Sequence, residues 1–260
     1  MRPNQTLARL REGRAVFGSS MQMYRSAEIP RLFAAAGFDY FFVDMEHGGF
    51  NSETAQDLIA SAVAAGITPL VRVPELLYSL VARALDTGAQ GVIFPRVEDP
   101  RALAEAIAWT KYPPLGRRGF GVLTPLVDYE NVGMAEIIAH LNAHTMVVVQ
   151  FETALAIERA DELLAVPGVD AVMVGPADLS VSLGAPGQFE HPAFIAAIER
   201  LMEACAARGV ACGIHPRSFE LARPWVERGM RFVTCGAEHG LLLEGARSVA
   251  AHLRSVTPIR

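Results

Sequence analysis

The 260 residues carry 23 basic and 28 acidic groups, a net charge of −5 at pH 7, and 51% hydrophobic side chains. That balance excludes a polybasic binder of nucleic acid or of a membrane surface, and no apolar run reaches the roughly 18 residues that cross a bilayer. Cys205, Cys212 and Cys235 are odd in number and lack metal-finger spacing; with no charged-then-apolar leader, they point to a soluble cytoplasmic enzyme with reduced thiols.

Apolar, β-rich runs alternate with helical patterns along the whole chain. A strand at 15–20 precedes a helix over 27–36, and a strand at 38–45 precedes a helix over 53–65. Strands at 68–73 and 91–96 lead into helices over 76–87 and 100–110. After a long segment, 112–133, come a helix at 134–142, a strand at 145–151 and a helix at 153–165. Strands at 170–175, 210–214 and 231–235 then alternate with helices at 192–208, 218–228 and 238–254. Tyr40-Phe41-Phe42-Val43 and Met146-Val147-Val148-Val149 are apolar at every position, as parallel strands covered on both faces require. Gly37, Gly66, Gly88, Gly168, Gly209 and Gly229 stand where helices should end.

Eight strand–helix repeats predict an α/β fold, a closed (β/α)8 TIM barrel formed by residues 1–260 as a single domain. A doubly wound sheet would carry a Gly-rich phosphate turn after its first strand, and none is present. The segment 112–133 holds Pro113, Pro114, Gly116, Gly119, Gly121 and Pro125. It is too long for a simple connection and predicts a functional or subunit-contact loop.

In a barrel, chemistry belongs at the C-terminal ends of the strands. Glu152 and Asp178 follow neighbouring strands and can converge; two carboxylates suit a hard divalent ion that keeps several waters. Read singly, Glu152 suits the positive end of the next helix and Asp178 an N-cap before Leu179-Ser180. His47 is either a hydrogen-bonded loop residue or a general base, and Gly48-Gly49 leaves it uncrowded. His215 is the second candidate for that base, whereas His140, His144 and His252 fall in helices or surface turns. Arg72 interrupts an apolar strand and needs an anionic partner, whether Asp44, Glu46 or an oxyanion formed on a substrate. The turn Gly175-Pro176-Ala177-Asp178 offers the amides of Ala177 and Asp178 to a carboxylate. Only one of the 23 basic residues is a lysine, Lys111. It follows a helix rather than a strand, which excludes Schiff-base chemistry.

These residues resemble the HpcH/HpaI aldolase family, the class II pyruvate aldolases. The resemblance spans nearly the whole chain and rests on Val43-Asp44-Met45-Glu46-His47, Val71-Arg72-Val73-Pro74 and Asp86-Thr87-Gly88-Ala89-Gln90-Gly91. It continues through Gly116-Arg117-Arg118-Gly119, Gln150-Phe151-Glu152-Thr153 and Gly175-Pro176-Ala177-Asp178-Leu179-Ser180. It implies cleavage of a 4-hydroxy-2-oxo acid to pyruvate and an aldehyde through a pyruvate enolate. His47 would be the base, Arg72 the oxyanion stabiliser, and Glu152 and Asp178 the ligands of Mg²⁺ or Mn²⁺, with Co²⁺ a further candidate. Gln150 and the Gly175-Pro176-Ala177 backbone would contact substrate. Asp86 would raise the basicity of the histidine, but it ends helix 76–87 on the outer face. It meets a His47 only across a subunit contact, in keeping with the family's oligomers, commonly hexamers; helix 238–254 is a further candidate for such a contact. The chain departs from better-known members at Gly48-Gly49-Phe50-Asn51 and in segment 112–133, both expected on the aldehyde side. A citryl- or malyl-CoA type thioester lyase would need a basic surface for the CoA phosphates. A non-catalytic binding barrel would turn over no aldehyde with pyruvate.

Overall fold

The computed structural model describes residues 1–121, 124–127 and 129–256. In chain order the elements are α1 (Gln5–Arg11), β1 (Val16–Met21), α2 (Glu28–Ala35), β2 (Tyr40–Asp44), α3 (Ser52–Ala65), β3 (Thr68–Arg72), α4 (Tyr78–Asp86), β4 (Gly91–Phe94) and α5 (Pro100–Ala108). After a single 3-10 turn at Thr124–Val127 come α6 (Met134–His144), β5 (Met146–Phe151), α7 (Ala154–Glu158), α8 (Ala160–Leu164), β6 (Ala171–Val174) and α9 (Pro176–Ser182). The last are α10 (Pro192–Arg208), β7 (Gly213–Ile214), α11 (Phe219–Glu227), β8 (Phe232–Ala237) and α12 (Glu238–Ser255). The eight strands pair in sequence order, all parallel, and β8 closes on β1 with Val16 opposite Phe232. The predicted (β/α)8 barrel is the observed fold.

Strand geometry sorts the side chains into two layers, because successive residues face opposite sides. Tyr40, Phe42, Leu70, Ile93, Val148, Met173 and Phe232 point inward and fill the barrel, with Tyr40 and Phe232 stacked at 4.5 Å. The alternate residues, such as Phe41, Val71, Val92 and Val149, pack outward beneath the helices. Each buried side chain of this size contributes about 1.5–3 kcal/mol, so both layers need apolar residues, and the strands read as continuous apolar runs. All six glycines expected to end helices have φ between 69° and 105°, a region that costs L-residues but not glycine.

Three local readings change. A short helix that the sequence pattern did not reveal, α1, lies across the N-terminal end of the barrel; Leu7 and Leu10 join the inner core there. Asn4 caps it, its Oδ1 accepting from Leu7 N at 2.9 Å. The helix expected at 153–165 is two, because Arg159 leaves helical geometry with φ −91° and ψ 15°. A further helix, α9, begins on Pro176, where a proline's missing N–H costs nothing.

The last helix, α12, does not return to cover the strands it follows. Only Glu238 in it is buried, and Leu242 is 60% exposed. On β1, Phe17 faces outward and is 43% exposed.

Candidate active site

Asp44 and Arg72 are direct cross-strand neighbours at the C-terminal ends of β2 and β3. Both continue the inward rows that carry Phe42 and Leu70 below them. Asp44 is fully buried and acts as a hub. Its two oxygens accept from Arg72 Nε at 3.0 Å and Arg72 Nη2 at 2.5 Å, the bidentate match of guanidinium to carboxylate. Oδ1 also accepts the backbone N–H groups of Glu46 and His47 at 3.1 and 3.0 Å, and Gln22 Nε2 donates to Oδ2 at 3.0 Å. Burial alone would raise the Asp44 carboxyl, but the bonds and charge of Arg72 outweigh it and hold the group below its ordinary value. One ionised carboxylate therefore fixes the arginine fork and shapes the turn that presents His47.

Arg72 meets both anions that the sequence offered it. Besides Asp44, its Nη1 lies 3.3 Å from Glu46 Oε2 and 3.2 Å from Gln150 Oε1. The inward row of β5 runs from Val148 through Gln150 to Glu152 just past the strand end. Gln150 Nε2 donates to Glu152 Oε2, and the backbone N–H of Arg96 donates to Glu152 Oε1 at 2.7 Å. Burial pushes the Glu152 carboxyl up, these two donors oppose it, and the charges of Glu46 and Asp178 push the same way as burial. Gly175 leaves room for this pair: a Cβ would sit 3.0 Å from Gln150 Nε2 and Glu152 Oε2 and would press on both. Asp178 is the third residue of α9 rather than its N-cap, and it is exposed. The first bond inside α9 runs from Leu179 N to Gly175 O, so the amides of Ala177 and Asp178 precede it and face outward.

His47 is 54% exposed at the mouth, its Nε2 3.9 Å from Glu46 Oε1. The glycine after it serves the backbone more than access, because a Cβ on Gly48 would lie 2.2 Å from Asp44 O. His215 is not a free base. Its Nε2 lies 3.3 Å from Gly236 O and its ring meets Phe42 edge-on; burial and then the charge of Arg72 push its pKa down to about 4. Lys111 is at the opposite end of the barrel, its Nζ on the carbonyls of Asn142 and Thr145, ahead of β5.

Asp86 stands apart from this cluster. It ends α4 on the outer wall and pairs with buried Arg118 at 2.7 Å, whose guanidinium lies 4.8 Å over the Tyr112 ring. Segment 112–133 was expected on the aldehyde side. In the single chain, residues 119–121 run along α4, with Gly119 N donating to Tyr78 Oη and Gly121 beside Asp86. Positions 122, 123 and 128 lie outside the described residues.

Sequence reasoning named Glu46 only as an anionic partner for Arg72 and missed two further participants, Gln22 and Arg96. Glu46 lies between Arg72, Arg96 and His47. Gln22, at the end of β1, tethers Asp44. Arg96 follows β4 with φ 54°, a strained setting that costs about 1–3 kcal/mol. The strand-end rule applied to β1 and β4 would have found the last two.

The donor set suits a divalent cation. Among the described residues no three His, Cys, Asp or Glu groups form a complete cage, and two carboxylates leave positions for water and substrate oxygens. Glu46 Oε2 is buried without a hydrogen bond among the described residues, out of line with Arg72. That acceptor, and the charges of Glu46 and Asp178 beside Glu152, fit a nearby cation.

A parallel barrel that gathers carboxylates, an amide side chain and a fixed arginine fork at the C-terminal ends of its strands has the layout of a barrel enzyme. The HpcH/HpaI aldolase/citrate lyase family model matches residues 23–244, and the chain belongs to that family of metal-dependent carbon–carbon lyases. It is 32% identical over 263 residues to a 4-hydroxy-4-methyl-2-oxoglutarate aldolase of Chaetomium globosum, covering 99% of this chain and 97% of that one. A hydroxypyruvate/pyruvate aldolase of Paraburkholderia phytofirmans is 32% identical over 259 residues, 97% of this chain and 98% of its own. The crystal structure of an HpcH/HpaI aldolase from Desulfitobacterium hafniense superposes with a TM-score of 0.90 at 33% identity, covering 97% and 98% of the two chains.

Proposed function

We propose that this chain reversibly cleaves 4-hydroxy-2-oxo acids to pyruvate and an aldehyde, with Glu152 and Asp178 holding Mg²⁺ or Mn²⁺. The observation that carries the reading is the buried Arg72 fork, locked by Asp44 and converging with Gln150 and Glu152. When bound, the metal supplies Lewis-acid polarisation of the 2-oxo acid. Gln150 and the outward amides of Ala177 and Asp178, past Gly175 and Pro176, orient the substrate carboxylate. His47 removes the proton of the C4 hydroxyl. That electron pair forms the aldehyde carbonyl, the C3–C4 bond breaks, and its electrons become the pyruvate enolate. Arg72 Nη1, the donor not used on Asp44, faces the enolate oxygen, and its fixed position means little reorganisation as charge develops. Decarboxylation of oxaloacetate forms the same enolate and is an expected side activity.

The apolar exposure of α12, with Phe17 uncovered on β1, supports a homo-oligomer, expected as a hexamer, in which α12 packs on a second copy. In such an assembly Asp86 of one copy meets His47 of another. No helix of the described residues is long and apolar enough to cross a membrane, and the free, buried Cys205 and Cys212 agree with a cytoplasmic setting.

Dialysis against a chelator is expected to abolish pyruvate release from a 4-hydroxy-2-oxo acid, and Mg²⁺, Mn²⁺ or Co²⁺ to restore it. Full turnover in metal-free protein would overturn the reading. His47→Ala should slow cleavage by about 10²–10⁴-fold while pyruvate affinity, measured by calorimetry on metal-loaded protein, changes less than threefold. Equal loss of both would make His47 a binding residue instead of the base.

A further inference from the structure

The last strand does not pair evenly with the first. Two steps along β1, from Gly18 to Ser20, match three along β8, from Thr234 to Ala237, and Gly236 in the extra length takes a left-handed φ of 64°. Such bulges re-aim the side chains beside them. Here the Glu238 carboxylate, only 1% exposed, is brought to the end of β1. Its Oε1 accepts the backbone N–H groups of Met23 and Tyr24 at 2.5 and 2.9 Å, and its two oxygens share that of Gln22 at 3.1 and 3.0 Å. No side chain from Gln22 to Glu28 is buried, so the carboxylate, not apolar packing, holds this loop. The loop in turn reaches the site. Gln22 Nε2 donates to Asp44 Oδ2, the oxygen that also accepts from Arg72 Nη2. Gln22 O accepts from Gly49 N at 3.3 Å, and Arg25 Nη2 donates to Gly49 O at 2.8 Å, two residues beyond His47.

We propose that Glu238 is a positioning residue for the cleavage, setting through loop 22–24 both the Arg72 fork and the turn that presents His47. The inference rests on the cleavage reading, in which Arg72 and His47 are the groups that act; Glu238 reaches them only through the loop. Three N–H donors facing one carboxylate need acceptors at both of its oxygens. An amide in its place turns its own N–H toward a donor, and the loop backbone must move to relieve the clash. His239 Nδ1 lies 3.6 Å from Glu238 Oε2, beyond hydrogen-bond reach, so the loop amides are what the carboxylate serves. A shift of Gln22 passes to Asp44 along one hydrogen bond and to Gly49 along another. Arg72 follows Asp44, because its Nε and Nη2 both end there.

The test compares pyruvate release from 4-hydroxy-2-oxopentanoate by metal-loaded wild type, Glu238→Gln, Glu238→Asp, Gln22→Ala and the Glu238→Gln/Gln22→Ala double variant. In Glu238→Gln, kcat is expected to fall about 10–100-fold, the cost of a small misplacement, while KM changes less than about threefold. Glu238→Asp should recover part of the rate. The double variant should lose less than the product of the two single losses, because both changes act on one relay. A second readout needs no turnover: amide hydrogen exchange in metal-free Glu238→Gln should quicken both at 22–24 and at 46–49. Unchanged kcat with a lower Tm, single losses that multiply in the double variant, or faster exchange confined to 22–24 would make Glu238 a loop anchor only and overturn the proposal. Should Glu238→Gln fail to fold, Glu238→Asp and Gln22→Ala carry the same comparisons. Wild type that releases no pyruvate, with exchange quickened at 46–49 in Glu238→Gln, would support the placement and refute the cleavage reading.

Discussion

Arg72→Ala is expected to lose stability and activity together, by about 3–5 kcal/mol and about 10²–10³-fold in kcat/KM. The first figure is the cost of leaving one partner of a buried ion pair behind: Asp44 is fully buried and would keep only Gln22 and two backbone amides. The second is the usual loss of one oxyanion donor. The two share a cause and separate by pH. In the wild type the folded Asp44 carboxyl is held below its ordinary value, so its contribution is present above the unfolded pKa of about 3.9 and is lost as pH falls through the folded value. In the variant burial is no longer opposed by Arg72, so the carboxyl is raised and its penalty is largest at neutral pH. The stability gap between wild type and variant, measured by urea unfolding, should narrow from pH 8 to pH 5. A gap that is the same at both ends would place the damage elsewhere. Arg72→Lys should rescue part of the stability and little of the rate, because an ammonium restores the charge without the fork.

Glu152→Gln is expected to move activity and stability in opposite directions. Activity should fall at least about a hundredfold and no longer respond to added Mn²⁺, since even supporting contacts to a metal site are worth 10–100-fold in affinity or activity. Metal-free stability should rise. Burial raises the Glu152 carboxyl in the folded state, and the charges of Glu46 and Asp178 add to it. A raised acid contributes stability that is complete below its unfolded pKa and is lost as pH rises through the folded value. At neutral pH the amide removes that penalty. Thermal unfolding in chelator at pH 7.5 should give a higher Tm for Glu152→Gln than for wild type. A lower Tm would mean that the bonds from Arg96 N and Gln150 outweigh the repulsion.

The barrel was legible because burial on two faces forces each strand to be apolar at every position, as in Tyr40-Phe41-Phe42-Val43. Helix ends were legible because a left-handed terminal residue favours glycine, as at Gly66 and Gly209. α1 was not, since its signal amounts to Leu7, Leu10 and a capping Asn4. α9 was read only as a turn, its sequence being shaped by the site as much as by helix propensity. Within the site, Arg72, Gln150 and Glu152 follow from strand parity: each sits two residues beyond an inward-facing apolar neighbour or continues its row. Glu46, Gln22 and Arg96 do not, because their side chains act after the strand has ended, where the backbone path sets direction. Asp86 is a different case. A single chain places it with Arg118, and any meeting with His47 belongs to an assembly.

With α1 lying across the N-terminal end and Leu7 and Leu10 seated among Tyr40, Met146 and Phe232, the barrel is a vessel with one door. Under the proposed cleavage both halves of the substrate would pass through the same opening, the half at buried Arg72, Gln150 and Glu152 lying deeper than the half at exposed His47. The deeper fragment must then arrive first and depart last. The proposed cleavage would then be an ordered release, aldehyde before pyruvate, and accumulated pyruvate is expected to compete with incoming substrate in product-inhibition kinetics.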